Sequence, residues 1–120
     1  MNYESMSDHR INALVTSSIF DCNQWEYSDA EFYHCGMDGE GYYSQPILDY
    51  CNDWSFGGPI IQKHKLSVML DWELKGHYTA MGTVTEQRSL GSYDKLISFS
   101  HKEPLRAAMI VFLMMNEGEL

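Results

Sequence analysis

The sequence predicts an α+β domain: a small antiparallel sheet packed by two or three helices, with an apolar C-terminal core helix. Three observations point there. Residues 107–115 carry no polar side chain, and Pro104 stands where a first helical residue can stand, because its missing N–H would be unsatisfied there anyway. Three strand-like segments follow one another directly at residues 66–70, 78–85 and 95–100, and strands in succession with short loops pair antiparallel. Near the N-terminus, Ile11, Leu14, Val15 and Ile19 recur at helical spacing, which gives one apolar stripe.

Taken in order, the chain opens with a helix over 8–18. Ser7 is its N-cap and Asp8 lies at the positive end of the helix dipole. Arg10 stands where a Glu or Gln would complete a capping box. Residues 20–45 scatter Trp25, Tyr27, Phe32, Tyr33, Tyr42 and Tyr43 among polar residues. The 37–41 stretch holds Asp38-Gly39, a tight-turn signal, so the aromatic segments on either side are expected to form a β-hairpin. A short helix is expected from Pro59 to Lys65, with its basic residues at the negative end. The strand at 66–70 precedes a turn at 75–77. The second strand, 78–85, is rich in β-branched residues, a loop follows at Gly91-Ser92, and 95–100 alternates cleanly.

The last helix is the physical oddity. Its apolar run makes a rod of roughly 13 Å at about 1.5 Å per residue, too short for the ~20 residues of a membrane span. A helix apolar all round must be covered on more than one side. Ala108, Ile110, Val111 and Met115 are therefore expected to be buried, against the sheet and against another helix or a second subunit.

One hundred and twenty residues, 44% hydrophobic and 13% aromatic, suit one domain over 1–120 with its own core. Seventeen acidic residues against eight basic ones give a net charge of −9. That excludes a partner held mainly through phosphates, so no direct nucleic-acid binding is expected. It leaves basic protein surfaces, including those that normally grip nucleic acid, although acidity also simply keeps a small domain soluble. Cys22, Cys35 and Cys51 are odd in number and lack C-x-x-C spacing. A reduced, cytoplasmic protein with free thiols is the simplest account, with no signal peptide and no membrane segment expected.

No catalytic, metal or cofactor pattern stands out. Five histidines are spread over the chain, and His34-Cys35 is the only adjacent pair among the histidines and cysteines; zinc sites usually show closer clustering. G-x-S-x-G and the phosphate-binding glycine patterns are missing. Candidate binding residues are the aromatic and carboxylate group Trp25, Tyr33, Tyr42, Tyr43, Asp49, Tyr50, Asp53 and Trp54. Tyr and Trp act as rigid interface anchors and as stacking platforms for bases. The competing account is that most of them are core, in a chain short of Leu and Val. Arg106, one turn into the apolar helix, is the remaining candidate: it can meet an anionic ligand or form an ion pair at the rim of the core.

The ending EPLRAAMIVFLMMNE, residues 103–117, resembles the NPLRAAMIVFLMMQE-type ending of the NinX-like family of lambdoid phage and prophage proteins. The opening YESMSDHRINALV is similar to that family's Y-S-x-L-S-D-x-E-I-N-x-x-V start, and DYCNDWSFGGPIIQKHKL to its DYCNNPADAWPII-type middle. Glu103 replaces an expected Asn, Arg10 an expected Glu, and residues 53–58 differ from Pro-Ala-Asp-Ala-Trp. The resemblance implies an accessory protein of a phage or prophage acting inside a bacterial cell. It brings no catalytic residues.

Three functions fit these features. The leading one is a non-enzymatic accessory protein that binds and modulates a host protein, a component of an anti-phage defence system included, through an acidic aromatic surface. The second is a binder of a small nucleotide-type signal, stacking its base on Trp25, Tyr42 or Trp54. The third is a small hydrolase built on Asp49, Asp53 and His34. A homo-oligomer is compatible with each.

Overall fold

A computed structural model describes residues 2–20, 25–27, 32–37 and 42–117. A 3₁₀ turn at Tyr3–Ser5 leads into α1 (Asp8–Phe20). Three strands follow, β1 (Trp25–Tyr27), β2 (Phe32–Met37) and β3 (Tyr42–Pro46). Then come α2 (Trp54–Lys63), β4 (Ser67–Leu70), β5 (Tyr78–Arg88), β6 (Gly91–His101) and α3 (Pro104–Glu117). The fold is α+β, with two three-stranded antiparallel sheets ordered β1-β2-β3 and β4-β5-β6. Among the described residues no helix is long and apolar enough to cross a membrane.

α3 is the axis of the core. Residues 105–113 are buried without a break, which is possible only because three layers surround them. Ala80 of β5, fully buried, and the half-buried Ile97 and Phe99 of β6 lie on the sheet side, Ile11 and Val15 come from α1, and Ile60 comes from α2. Gly82 sets the approach to the sheet: a Cβ there would sit 2.5 Å from Met115 Sδ and 2.9 Å from Leu66 Cδ2. Ala108, Ile110 and Val111 are completely buried, whereas Met115 is only partly covered, because it lies in the last turn.

The helix ends follow their side chains. Ser7 Oγ accepts the Arg10 N–H at 3.1 Å and caps α1, and the helix runs two residues past 18 to Phe20. At α3, His101 Nδ1 accepts the Glu103 N–H at 3.0 Å and the Glu103 carbonyl accepts from Ala107 at 3.0 Å, so Pro104 is the first helical residue, as its missing N–H predicts. α2 starts five residues before the expected Pro59. Asp53 caps it, accepting from the Ser55 N–H at 2.9 Å, and this cap outweighs the two glycines and the proline. Pro59 fits inside because Gly58 before it has no Cβ to meet the pyrrolidine ring. Gly57 is needed for space: a Cβ there would lie 2.7 Å from Tyr50 O and 2.8 Å from Leu105 Cδ2.

The expected 37–41 hairpin joins β2 to β3, with Met37 opposite Tyr42; its turn, residues 38–41, lies outside the described residues. The third expected strand starts earlier than the alternation suggested. β6 begins at Gly91 and pairs with β5 along its whole length, with Ser89-Leu90 as a two-residue connection between Arg88 and Gly91. Gly91 has φ 126°, a conformation that favours glycine.

Candidate functional site

The connection between β4 and β5, residues 71–77, is short and exposes two large apolar side chains among charged ones. Asp71 organises it. One carboxylate oxygen accepts the N–H groups of Glu73 at 2.9 Å and Leu74 at 3.1 Å, an Asx turn. The other accepts the hydroxyls of Thr79 at 3.1 Å and Ser100 at 3.2 Å, tying the loop to β5 and β6. Backbone bonds from Asp71 N–H to the His77 carbonyl and from His77 N–H to the Leu74 carbonyl, both 3.0 Å, close the turn, and Gly76 provides the positive φ of 81° it needs. These N–H and O–H donors favour the charged form of Asp71 and hold its carboxyl below the usual carboxylate range, the Glu73 and Leu74 amides contributing most.

Three apolar side chains stand around this clamped aspartate. Trp72 is 93% exposed, Leu70 55% and Leu74 50%. An indole held in water on a fixed backbone has already lost the loop entropy that binding would otherwise cost. Trp is also the residue type most enriched among interface anchors.

The residues singled out from the sequence are distributed differently. Arg106 is buried, and its guanidinium is spent inside the protein. Nη1 donates to Asp8 Oδ1 at 2.6 Å, and Nη2 to the carbonyls of Tyr3 at 3.1 Å and Met6 at 2.6 Å. Of its two sequence alternatives, the ion pair is the one formed. Asp49 accepts from Asn12 Nδ2 at 3.1 Å and Asn52 Nδ2 at 3.0 Å. Asn12, itself buried, accepts the Cys51 N–H at 3.1 Å. Asp53 is the α2 cap, and its contacts with the Ser55 hydroxyl and N–H hold its carboxyl below the usual range. The carboxylates of Asp49 and Asp53 thus have different partners, although the Asp53 N–H donates to the Asp49 carbonyl at 2.9 Å.

Tyr50 is core: 5% exposed, with its ring edge-on to Phe56 at 6.5 Å. Burial pushes its hydroxyl pKa up, and a hydrogen bond with Thr16 partly offsets that. Trp54 is 56% exposed at the first turn of α2. Trp25, Tyr33, Tyr42 and Tyr43 fall on the first sheet. Its register sets Trp25 opposite Cys35, Cys35 opposite Tyr43, and Tyr33 between Tyr27 and Gln45. His34 pairs with Glu26 and Ser44 in the same sheet.

Cys51 is a buried thiol whose pKa is pushed up to about 12. Burial is the main cause, repulsion by Asp8 adds to it, and Arg106 opposes both. A thiol that stays protonated is no nucleophile. Among the described residues no group of three or more His, Cys, Asp or Glu side chains is placed to hold a metal ion. A cleft of about 230 Å³ lies between the C-terminal ends of α1, α2 and α3 and is lined by Ser18, Ile19, Pro59, Ile60, Lys63, His64, Phe112 and Asn116. Trp54, one of the residues expected to stack a base, is not among the described residues that line it.

The Asp71–Trp72–Leu74 loop was not among the sequence candidates, although a signal was present. Two large apolar residues, Trp72 and Leu74, stand in a turn between two strands, where polar ones are the rule, and the aspartate that opens it is placed for an Asx turn.

No curated protein matches the sequence. The family described as "Bacteriophage P22, NinX" matches residues 2–116, nearly the full length. That span includes the capped start of α1, the α2 segment and the whole apolar run of α3 that carried the resemblance. The chain belongs to the bacteriophage P22 NinX family.

Proposed function

We propose that this phage accessory protein acts by binding a host protein rather than by catalysis, with Trp72 as the central anchor of the contact. The observation that carries this reading is the exposure of Trp72 on a loop fixed by Asp71. The charged groups singled out as candidates support it from the other side. Arg106 is taken up by a buried ion pair, Asp53 by a helix cap and Asp49 by hydrogen bonds to Asn12 and Asn52, and the Cys51 thiol is buried. A net charge of −9 favours a basic partner surface, such as one that otherwise grips nucleic acid, and steers its approach. Components of bacterial anti-phage defence that handle nucleic acid have that chemistry, inside the host cell.

The test is comparative capture from host lysate with wild-type protein and with Trp72→Ala. Partners retained by the wild type and lost by the variant support the reading. Equal retention by both removes Trp72 from it. If the contact is electrostatically assisted, the captured partner should also be released as salt rises.

A further inference from the structure

The cleft where the C-terminal ends of α1, α2 and α3 meet joins apolar walls to a polar rim. Ile60 and Phe112, 7% and 3% exposed, form its buried side, and Ile19, 42% exposed, stands with them. The His64 ring lies against Phe112, with centroids 4.7 Å apart and planes tilted by 52°. Lys63 and Asn116 add polar groups to the lining. Among the described residues neither of these two side chains has a hydrogen-bond or ion-pair partner. An apolar hollow with a few polar groups left unused is the usual make-up of a small-molecule site.

Size and charge select the ligand. The volume of about 230 Å³ is below the roughly 300 Å³ at which drug-sized pockets begin. A closed cavity of about 150 Å³ holds a benzene ring, so one ring with a short side chain fits here and a whole nucleotide is too large to be enclosed. The chain carries 17 acidic residues, yet none of the described residues lining the cleft is acidic, and Lys63 brings an unpaired ammonium to it. Helix C-termini attract cations, but the last carbonyls of α2 are already taken. Ile60 O accepts from the His64 N–H at 3.0 Å, Ile61 O from the Leu66 N–H at 2.9 Å and Gln62 O from the Lys65 N–H at 3.4 Å. The full charge of Lys63 therefore sets the sign and calls for one anionic group. A carboxylate matches it, one charge for one ammonium, with lone pairs left to accept from the Asn116 amide. A phosphate dianion would leave a second charge unpaired.

We propose that this cleft binds a small amphiphilic carboxylate, an apolar ring on a short chain ending in the carboxylate. The ring packs against Ile60 and Phe112, and Lys63 and Asn116 hold the charged end. The site shares no residue with the Trp72 loop and does not depend on the function proposed above. The test is a titration of the nitrogen-15-labelled full chain with sodium 3-phenylpropionate to about 10 mM, followed through amide shifts by NMR. The neutral counterpart, 3-phenyl-1-propanol, is titrated in parallel. A ligand of about ten non-hydrogen atoms should bind with a Kd of roughly 1 mM, giving saturable shifts centred on residues 59–64, 112 and 116. The alcohol should bind about three- to fivefold more weakly, and added salt should narrow that difference. Lys63 is exposed, so Lys63→Met should fold as the wild type does, keep the aliphatic stem, and bind acid and alcohol alike. The absence of saturable shifts at the cleft would overturn the proposal. Equal binding of acid and alcohol by the wild type would overturn it too, and that comparison decides the matter if Lys63→Met fails to fold. So would a preference for the acid that survives in the folded variant.

Discussion

Arg106 Nη1 and Asp8 Oδ1 meet at 2.6 Å, joining the first turn of α3 to the first turn of α1 across 98 residues of sequence. The same guanidinium binds the carbonyls of Tyr3 and Met6, so one side chain fixes the N-terminal segment, α1 and α3 together. At the far end of α3 the Tyr3 hydroxyl donates to the Glu117 carboxylate. Arg106 is thus the hub that holds the N-terminal turn on the core helix.

Removing that hub should cost stability heavily. Arg106→Ala leaves buried carbonyls unpaired and Asp8 without its partner, and breaking a buried pair from one side costs about 3–5 kcal/mol. Asp8→Asn should cost less, about 1–2 kcal/mol, because Asp8 is 37% exposed and Arg106 keeps its carbonyl partners. Urea denaturation of both variants measures the difference, and equal losses would contradict the hub assignment.

Val111 is completely buried in the middle of α3. Val111→Asp places an unpaired charge there, at a cost of about 4 kcal/mol or more, and should leave the chain unfolded at room temperature. A wild-type melting curve for this variant would show that α3 is not the core.

Adjacent glycines in α2 should respond differently. Gly57→Ala drives a Cβ to within 2.8 Å of both Tyr50 O and Leu105 Cδ2, and should destabilise by about 1–3 kcal/mol despite alanine's better helix propensity. Gly58 has no neighbour within 4 Å. There the propensity gain opposes the clash with the following proline, so Gly58→Ala should change stability by less than about 0.5 kcal/mol. Thermal melts of the two variants check this directly.

How much of this was legible beforehand follows from where each cause lies. Ser7, Pro104 and the unbroken apolar run act within a few residues, so α1 and α3 could be placed from the sequence. The start of α2 was misplaced because Pro59 and two glycines argue locally against a helix. The Asp53 cap that outweighs them is local, but the need for glycine at 57 comes from Tyr50 and Leu105, which belong to other parts of the chain. Arg106 was recognised as anomalous, but its partners Asp8, Tyr3 and Met6 are about a hundred residues away and invisible to spacing. Trp72 went unnoticed for the opposite reason. Its exposure depends on Asp71 closing a turn with Glu73, Leu74, Thr79 and Ser100, a geometry that a tryptophan between two strands does not announce.

Alkaline pH should unfold the protein through its buried acids. Cys51 rises from 9.0 to about 12 in the folded chain, and burial and Glu117 raise Tyr3 as well. Below pH 9 both states keep the thiol protonated and the full stability is present. As pH climbs from about 9 towards 12, only the unfolded chain releases its proton, so stability falls across that window. Cys51→Ala should flatten this part of the profile. Peptide mapping after thiol alkylation at neutral pH should find Cys51 unlabelled in the native protein and labelled once it is denatured.

Asp71 links the loop's shape to its proposed role. Asp71→Ala removes four hydrogen-bond acceptor contacts and should release the loop while leaving the core intact. Partner affinity should fall by roughly tenfold or more, because the ordering of the loop must then be supplied on binding. Unchanged affinity would show that the fixed turn is not what presents Trp72.

The most direct test of the binding account is quantitative affinity capture from host lysate with wild-type protein and Trp72→Ala side by side. The account predicts at least one host protein enriched reproducibly by the wild type and reduced about tenfold or more by the variant, as expected for a tryptophan hot spot, with both proteins equally folded by circular dichroism. Identical captured proteins in both arms would contradict it.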